Sequence, residues 1–392
     1  MKNVALHILF LARWYPNKED PMFGLFVRRH AEAAALFQQV SVVYVHAVSK
    51  AESKFEVEVK QSAALKEYIV YYRKPENKGV IGKIISFQRF WKANIRAIKM
   101  VEADQPKVDL IHVHVLSRLG LLGWVLAFRR GIPFMITEHW SRYLPVNNGF
   151  NGFFRKGITR FVVKRAAGVT AVTKNLAQAM QAHGLNNKNY HILPNVVNMH
   201  LFKPGEEKPS SGKIQLVHLS CFEDKSKNIS GLLRVLASLK EQAQNFECTL
   251  IGDGIDFESL KNYASDLGLC RQLRFTGLLE GEKLVDELAK ADFMVMFSNY
   301  ENMPVVILEA FACGLPVVAT RVGGIPEMVN DQNGLLVSPK NEGEMLAAIT
   351  WMMENYTNFN PAMLRAMVED KYSLEAVGKL LHSWYTAAIK AP

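Results

Sequence analysis

The feature that most constrains the fold is an alternation of short apolar runs with longer helix-periodic segments, which occurs twice along the chain. In the first half, strand-like runs such as 4–12, 40–47 and 109–115 are separated by segments whose apolar residues recur at helical spacing. The alternation restarts after residue 213 and continues to a last helical segment near 374–389. Because strands joined through helices run parallel, each half is predicted to form a mostly parallel sheet covered by helices.

A stretch rich in proline, glycine, serine and charge at 192–213 interrupts the alternation and indicates a linker. A chain of 392 residues is long enough for two domains. We therefore predict an α/β fold with two doubly wound, Rossmann-like domains that face each other across a cleft. Their predicted bounds are 1–195 and 196–373, and a C-terminal helix at 374–392 is expected to pack back on the first domain.

The composition is that of an ordinary globular protein, with 49% hydrophobic and 21% charged residues, which argues against a disordered chain. The four cysteines are widely spaced and form no C-x-x-C pair. They are expected to be reduced core residues, because neither a disulfide framework nor a zinc site has this spacing.

The apolar N-terminal run is short, Arg13 follows it directly, and no small-residue cleavage site is present. This pattern favours a buried first strand over a signal peptide. The longest apolar run, 119–128, is too short to span a bilayer. We therefore predict a cytoplasmic protein, and leave open a peripheral position at the inner face of the membrane.

The net charge of +10 is unevenly distributed. Residues 1–200 hold 29 Lys+Arg and 12 Asp+Glu, whereas residues 201–392 hold 18 and 25. Such asymmetry indicates that the first half meets an anionic partner, which would be a membrane surface, a nucleic acid or an acidic glycan. The alternative is that the basic side chains only keep this half soluble.

The stretch 293–320 has the pattern of a strand, a loop, a helix and a second strand. Pro304 suits the first turn of that helix because its missing N–H has no partner to lose there, and Gly314 suits the helix end. In open α/β sheets, ligands bind at the carboxyl ends of strands. A helix that begins at such an end can bind phosphate through its free N–H groups.

Two glutamates flank this helix start. Glu301 precedes it, and Glu309 lies about five residues into it, which is about 7–8 Å along the axis. A ligand with a phosphate in the middle and a polar group at each end, such as a nucleotide sugar, fits that spacing. The alternative is that both are ordinary loop and helix residues, although an unpaired carboxylate among the apolar neighbours of Glu309 would be costly.

The block that contains these glutamates, E-x7-E followed by "EAFACGLPVVATRVGGIPE", resembles the donor-site signature of family 4 glycosyltransferases, which have the GT-B fold. The resemblance covers nearly the whole chain. "WYPNKEDPMFGLFVRRHAEA" is similar to the family's first-strand loop, and "IHVHV" and "MITEH" to its later N-domain strands. "ILPNVVNMHLF" resembles the family's linker, with Asn198 where aspartate is usual. "LIGDG" and "FTG" resemble parts of the second domain.

The resemblance implies roles for single residues. Glu301 would hold sugar hydroxyls near the reacting carbon, and Glu309 would hold the ribose. Lys227 matches the lysine that binds the donor phosphates. His139 matches the histidine beside the donor sugar, and Gly24 matches a loop glycine near the phosphates. Glu301, His139 and Lys227 are therefore the expected catalytic residues.

One departure from the family pattern concerns phosphate binding. The family usually has an arginine shortly before the lysine, where this chain offers Cys221 or Phe222. Lys225 is the candidate substitute, although lysine cannot reproduce bidentate phosphate contacts. The rest of the expected donor-binding set comprises Asn302, Met303, Pro304, Val305, Gly252 and Gly254.

No D-x-D motif occurs in the chain, so a metal-bound diphosphate is not expected. Lys227 and the N–H groups of the helix at 304 would instead stabilise the leaving diphosphate. The resemblance implies retention of the anomeric configuration. No cofactor and no metal are expected. His112 and His114 share one strand face, which favours packing over a metal pair.

The acceptor side is less defined. The segment 78–100 has helical period, with apolar residues on one stripe and basic residues around it, and 155–165 adds a second basic group. The stripe consists of Ile81, Ile84, Ile85, Trp91, Ile95 and Ile98, and the basic residues are Lys83, Arg89, Lys92, Arg96 and Lys99. This helix would either lie on an anionic membrane or pack into the core with a solvated basic face.

Taken together, these features predict a retaining, metal-independent glycosyltransferase of surface polysaccharide biosynthesis. Residues 1–195 would form its acceptor side and 196–373 its donor side. The expected partners are a UDP- or GDP-linked sugar and a glycan or lipid-linked acceptor. The alternatives are a nucleotide-sugar epimerase or hydrolase of the same fold, and a non-catalytic nucleotide-binding member. A nucleic-acid partner is not expected, because the basic half shows no recognised binding module.

Overall fold

The structure is a computed structural model that describes residues 5–50, 53–77, 79–105, 107–116, 118–205 and 212–390. The chain divides into two compact units. Unit 1 comprises Met1–Val172, Leu176–Val196 and Leu374–Pro392, and unit 2 comprises Thr173–Asn175 and Val197–Ser373. Each unit is built around its own sheet, as the repeated alternation predicts.

Unit 1 holds an eight-stranded sheet of order β3-β4-β2-β1-β5-β6-β7-β8, in which every neighbouring pair is parallel except β3 and β4. Its strands are β1 His7–Ala12, β2 Gln39–Val48, β3 Phe55–Ser62, β4 Leu65–Arg73, β5 Leu110–His114, β6 Phe134–Glu138, β7 Gly168–Ala171 and β8 Tyr190–Ile192. Its helices are α1 Leu25–Ala35, α2 Gly79–Asp104, α3 Arg118–Arg130, α4 Phe153–Arg165, α5 Lys174–Ala182 and α13 Leu374–Lys390. The antiparallel pair β3 and β4 forms one edge of this sheet.

The C-terminal helix α13 belongs to unit 1 and packs on α1. The two helices approach closely, because a Cβ on Gly378 would lie 2.4 Å from the carbonyl oxygen of Ala33. Leu381 and Tyr385 of α13 are fully buried in the same core as the β1 residue Phe10. The last helix therefore completes the core of unit 1.

Unit 2 holds a six-stranded, fully parallel sheet of order β11-β10-β9-β12-β13-β14. Its strands are β9 Ile214–Leu219, β10 Phe246–Ile251, β11 Leu273–Gly277, β12 Phe293–Met296, β13 Val317–Thr320 and β14 Gly334–Val337. Its helices are α6 Asp224–Lys227, α7 Ile229–Glu241, α8 Phe257–Asp266, α9 Gly281–Lys290, α10 Val305–Ala312, α11 Glu342–Asn355 and α12 Pro361–Tyr372. The strand order is that of a doubly wound fold, which confirms the predicted architecture of this unit.

Two local predictions need correction. Pro304 is the N-cap of α10 rather than a residue of its first turn. On α2 the predicted apolar stripe is not the buried face, since Ile81, Ile84 and Ile95 are exposed.

The buried face of α2 lies mainly in the second half of the helix and includes Phe90, Ala93, Ala97, Ile98 and Val101. Among the described residues, none of the helices combines the length and the apolar character needed to cross a bilayer.

Candidate active site

The strand order of unit 2 reverses between β9 and β12, because the chain builds outward from β9 to one side and then returns to build the other. Ligands of doubly wound sheets bind outside the carboxyl ends of the strands at such a reversal. The segment after β9 carries Lys227, and the segment after β12 carries Glu301. The topology thus brings together two predicted site residues that are 74 positions apart.

Lys227 and Glu301 form a buried ion pair. Lys227 Nζ donates to Glu301 Oε1 at 2.5 Å, and the two side chains are 15% and 8% exposed. Ser298 Oγ donates to the same carboxylate oxygen at 2.9 Å. Burial lowers the pKa of the Lys227 ammonium, but the negative charge of Glu301 outweighs it and the pKa is raised. A fixed positive charge therefore stands beside Glu301 at neutral pH.

The glycine pair after β13 supports the loop that carries Glu301. A Cβ on Gly323, which has φ +54°, would lie 1.8 Å from the carbonyl oxygen of Glu301. A Cβ on Gly324 would lie 2.3 Å from the carbonyl oxygen of Asn302, to which the Gly324 N–H donates at 2.9 Å. The Asn302 side chain also accepts from Thr173 Oγ1 at 3.1 Å. The Glu301 loop is thus held by close backbone packing.

The helix α10 starts directly after this loop. Met303 and Pro304 are buried, Val305 is half-buried, and Glu309 is only 6% exposed although its neighbours are apolar. The first turn of a helix leaves backbone N–H groups directed outward and carries partial positive charge. The start of α10, Glu301 and Lys227 together offer a positive phosphate site with a carboxylate beside it.

The segment 220–222 shows what replaces the family's arginine. Phe222 is fully buried and Cys221 is exposed, so Cys221 occupies the open position. Gly252 and Gly254 pack on this segment, since a Cβ on each would lie 1.8 Å from Ser220 O and 2.5 Å from Phe222 O respectively. Close backbone packing is therefore enough to explain why glycine occupies positions 252 and 254, without a role in ligand binding.

Lys225 is exposed on α6, and its carbonyl group accepts from Asn299 Nδ2 at 3.0 Å. The structure therefore brings Lys227 to Glu301 and leaves the Lys225 ammonium at the surface. The substitution of Lys225 for the missing arginine stays a prediction.

In unit 1 the reversal of strand order lies between β1 and β5. The loop after β1 contains Trp14 and ends at Gly24, which has φ +69°. A Cβ on Gly24 would lie 2.4 Å from the backbone carbon of Trp14, so only glycine permits this approach. The Trp14 ring meets the Trp140 ring at 5.2 Å, and Phe26 meets His139 at 4.8 Å. The structure thus brings the Gly24 loop and His139 together.

His139 is held in place by its neighbour Glu138. Glu138 is fully buried, and its carboxylate accepts the N–H groups of His139 and Trp140 at 2.8 Å each and that of Leu116 at 2.9 Å. Burial nevertheless raises the pKa of Glu138 to about 7. Beside Leu116, the buried Val115 has φ +72°, a strained conformation for a β-branched residue. The strained backbone of Val115 and the buried carboxyl group of Glu138 therefore lie together at the carboxyl ends of β5 and β6.

Burial also holds the pKa of His139 well below its usual value, and the charges of His30 and His112 lower it further. The pKa of His114 is likewise well below normal, mainly through burial. His114 Nδ1 and His139 Nε2 lie 3.3 Å apart. At neutral pH His139 is thus an uncharged imidazole that can exchange hydrogen bonds with a hydroxyl group.

The histidines also define which residues could hold a metal. His30, His114 and His139 each offer one ring nitrogen within 4.8 Å of the other two. His112 belongs to the packing instead, because its two nitrogens contact Tyr385 Oη at 2.6 Å and Thr137 Oγ1 at 2.7 Å. The expectation of a metal-independent reaction remains a prediction.

Sequence reasoning did not find several residues that build these sites. Ser298 was recoverable from its position three residues before Glu301. Trp14, Trp140 and Arg142 were not, because their contacts arise from loops after different strands. The sequence also gives no sign that Glu138 is the residue that orders the backbone around His139.

Two family models match consecutive parts of the chain. The model for Glycosyltransferase Family 4 matches residues 28–201, and the model for Glycosyl transferases group 1 matches residues 202–372.

Among characterised or named proteins, the chain is 23% identical over 402 residues to the putative teichuronic acid biosynthesis glycosyltransferase TuaC of Bacillus subtilis, covering 98% of this chain and 99% of TuaC. It is 28% identical over 246 residues to N-acetyl-alpha-D-glucosaminyl L-malate synthase of Bacillus anthracis, covering 59% and 62%.

Two solved structures show the same fold. Sucrose-phosphate synthase from Thermosynechococcus elongatus matches with a TM-score of 0.77 at 18% identity, over 99% of this chain and 100% of that chain. Anabaena HepE in complex with UDP matches with a TM-score of 0.71 at 18% identity, over 97% and 100%. Both support the GT-B fold for this chain.

Proposed function

The chain belongs to the family 4 glycosyltransferases, and from that membership we propose that it transfers a sugar from a nucleotide-diphosphate donor to a glycan or lipid-linked acceptor with retention of configuration. The observation that carries the proposal is the buried Lys227–Glu301 pair at the strand reversal of unit 2. It places a fixed cation and a carboxylate beside the start of α10. Surface polysaccharide biosynthesis is the proposed setting, supported by the likeness to TuaC over the length of both chains.

The proposed chemistry needs no group beyond these residues and the two substrates. The bond from the anomeric carbon to the diphosphate oxygen breaks, and a bond to the acceptor oxygen forms on the same face. The acceptor proton passes to the departing diphosphate. Lys227 and the α10 N–H groups stabilise the negative charge that develops there, and Glu301 holds sugar hydroxyls. The role of His139, a hydrogen bond from its uncharged ring to a donor hydroxyl, is proposed from the family resemblance alone.

The donor site is tested by thermal denaturation with UDP, GDP and ADP and their sugar conjugates. A ligand at a hundredfold excess over Kd stabilises the native state by about 2.7 kcal/mol. We expect one base to raise the transition temperature, and Glu309→Gln to abolish that shift. The matched control is Glu354→Gln, which removes an exposed glutamate from α11 of the same unit. No shift with any base at millimolar concentration would favour a non-catalytic member.

Transfer is separated from the alternatives by nucleotide release. A transferase releases diphosphate nucleotide only when an acceptor extract is added, whereas a hydrolase releases it without one and an epimerase changes the donor sugar without release. Proton NMR of the product reports whether the anomeric configuration is retained. Unchanged activity in EDTA is expected for a metal-independent reaction.

A peripheral membrane position is proposed on the surface of unit 1. The start of α2 exposes an apolar stripe at Val80, Ile81, Ile84 and Phe87, which are 43–73% exposed. The start of α4 exposes Phe153 and Phe154 at 87% and 82%. Both helices also carry lysines and arginines. Apolar side chains beside basic ones suit the interface of an anionic membrane.

Sedimentation with vesicles tests this position. We expect binding to vesicles that contain phosphatidylglycerol, little binding to pure phosphatidylcholine, and release at high salt. The double variant Phe153→Ser/Phe154→Ser should lose binding. The control Ile255→Ser removes an equally exposed apolar residue, 86% exposed, from unit 2. Equal loss in the control, or no preference for anionic lipid, would refute the proposal.

A further inference from the structure

Three arginines lie on segments that follow β1 and β6 at the carboxyl edge of the unit 1 sheet. Arg13 follows β1 at the strand reversal, and its backbone N–H donates to the carbonyl of His114 at the end of β5 at 3.2 Å. Arg142 lies in the short turn after β6, and Arg155 lies in the first turn of α4. Their positions in the sequence give no sign that they converge.

The charge of this cluster is not neutralised by the protein. Within the described part of the chain, none of Arg13, Arg142 and Arg155 forms an ion pair with an acidic side chain. Glu138 is close, but both of its oxygens accept backbone N–H groups. Residues 139–200 contain eight Lys+Arg and no Asp or Glu, and the carboxylate of Asp20, in the loop after Arg13, accepts the N–H groups of Met22 and Phe23 at 3.0 Å each.

Arg142 lacks ion-pair partners for its charge among the described residues. Its Nε is buried and has no hydrogen-bond partner. Burial lowers the pKa of Arg142, and the like charges of Arg155 and Arg13 lower it further, against the raising effect of Tyr143 and Glu138. Arg142 therefore lies near enough to Arg13 and to Arg155 to be repelled by the charge of each. A buried, unpaired donor on a cation is costly, and an anion would supply what it lacks.

Aromatic rings adjoin the cluster. The Arg142 guanidinium lies 3.5 Å from the centre of the Trp140 ring, which fixes its plane. Trp14, the neighbour of Arg13 in the chain, meets Trp140 edge to face at 5.2 Å. Both indole rings are only partly buried. Indole surfaces accept the apolar face of a flat or ring-shaped ligand, and planar guanidinium groups bind phosphate and carboxylate through paired hydrogen bonds.

We propose that Arg13, Arg142 and Arg155, with Trp14 and Trp140, form a binding site for an anionic saccharide, and that the acceptor of this enzyme therefore carries a phosphate or a carboxylate group close to its accepting end. That the bound saccharide is the acceptor rests on the proposed function, whereas the binding site for an anionic saccharide does not depend on it. The arginines bind the anion, and the indoles pack against the sugar ring that bears it.

Binding of small probes tests the site without an identified acceptor. The probes are glucose 1-phosphate, methyl glucuronide and neutral methyl glucoside, measured by calorimetry and by quenching of tryptophan fluorescence. We expect at least one anionic probe to bind and methyl glucoside to bind at least about tenfold more weakly, since each charge-assisted hydrogen bond is worth about that factor or more. The preferred probe tells whether the anion is a phosphate or a carboxylate.

Variants connect this binding to the cluster. Arg142→Gln should lower the affinity for the anionic probe about tenfold or more and leave the affinity for methyl glucoside unchanged. Arg142→Lys keeps the charge but loses the planar fork, so it should restore only part of the affinity. The matched control is Arg129→Gln, which removes an exposed arginine from the last turn of α3 in the same unit. Arg129→Gln should bind the probes like the wild type.

The outcomes separate this site from the donor site. If Arg142→Gln weakens UDP or GDP binding and not the anionic probe, the cluster holds the donor diphosphate and the proposal is wrong. Equal binding of anionic and neutral probes also refutes it. If the probe binding is as expected but no sugar transfer is ever found, the proposed function fails and the anionic-saccharide site remains.

Discussion

The ion pair of Lys227 and Glu301 allows a quantitative prediction. Removal of one partner leaves the other charge buried, and such losses typically cost about 3–5 kcal/mol. Ser298 Oγ still donates to the carboxylate, and Lys227 retains 15% exposure, so the lower end of that range applies. We expect Lys227→Met and Glu301→Gln each to destabilise unit 2 by about 3 kcal/mol. For a domain of this size, that lowers the transition temperature by about 6–12 °C.

The double variant is the decisive measurement. With both charges removed no buried charge is left unpaired, so its loss should fall short of the sum of the single losses by about 1–3 kcal/mol. Differential scanning calorimetry of the full chain gives the three values, and the proposed donor nucleotide should identify the transition of unit 2 by shifting it in the wild type. Arg234→Ala is the control, because Arg234 and Glu342 form an exposed pair worth at most about 1 kcal/mol. Additive losses in the double variant would refute the coupling.

Two further predictions concern pH and backbone packing. Burial lowers the pKa values of His30 and His112 to about 4 and about 3, so below pH 6.5 the unfolded chain binds more protons than the folded one. The free energy of unfolding should therefore fall as the pH drops from 6.5 towards 4, by up to about 1.4 kcal/mol per pH unit for each histidine. Glu138 opposes this with a slope of the other sign between pH 4.5 and 7, because its pKa is raised. Urea unfolding at several pH values measures the net slope, which His30→Gln should reduce. Gly323→Ala should destabilise unit 2 by about 1–3 kcal/mol more than Gly281→Ala. Both glycines have positive φ, but only a Cβ on Gly323 would meet the backbone of Glu301. Similar shifts of the transition temperature in the two variants would contradict this explanation.

The sequence predicts the sheets well because their strands are short, β-branched and apolar on both faces, a pattern that few other structures produce. It predicts Glu301 because that residue follows a recognisable strand, whereas Lys227 was indicated by the resemblance to the family. The face of α2 could not be predicted in this way. Its isoleucines are apolar, but the space beside β2 and β4 is filled by Phe90, Ala93 and Ala97, and Ile81, Ile84 and Ile95 are left outside.

The arginine cluster of unit 1 shows a second limit. Arg13 and Arg142 are 129 positions apart, and each looks in the sequence like an ordinary surface residue. Only the strand order of the sheet, with β1 beside β5 and β5 beside β6, places the loops that carry them at one edge. The spacing of residues along the chain predicts contacts within a loop. Contacts between loops depend on the order of the strands in the sheet, which the pattern of strands and helices does not determine.

The position of α13 in unit 1 affects how the chain folds during its synthesis. Unit 1 starts at the N-terminus, but its core lacks Leu381 and Tyr385 until the 177 residues 197–373 have been made. At the usual 5–20 residues per second that interval is roughly 10–35 s. Throughout it the α1 surface that receives α13 is uncovered, and at its end unit 2 has its complete sequence before α13 is made. Unit 1, whose sheet begins first, therefore completes its core after unit 2 has its full sequence, and its uncovered apolar surface is of the kind that chaperones bind.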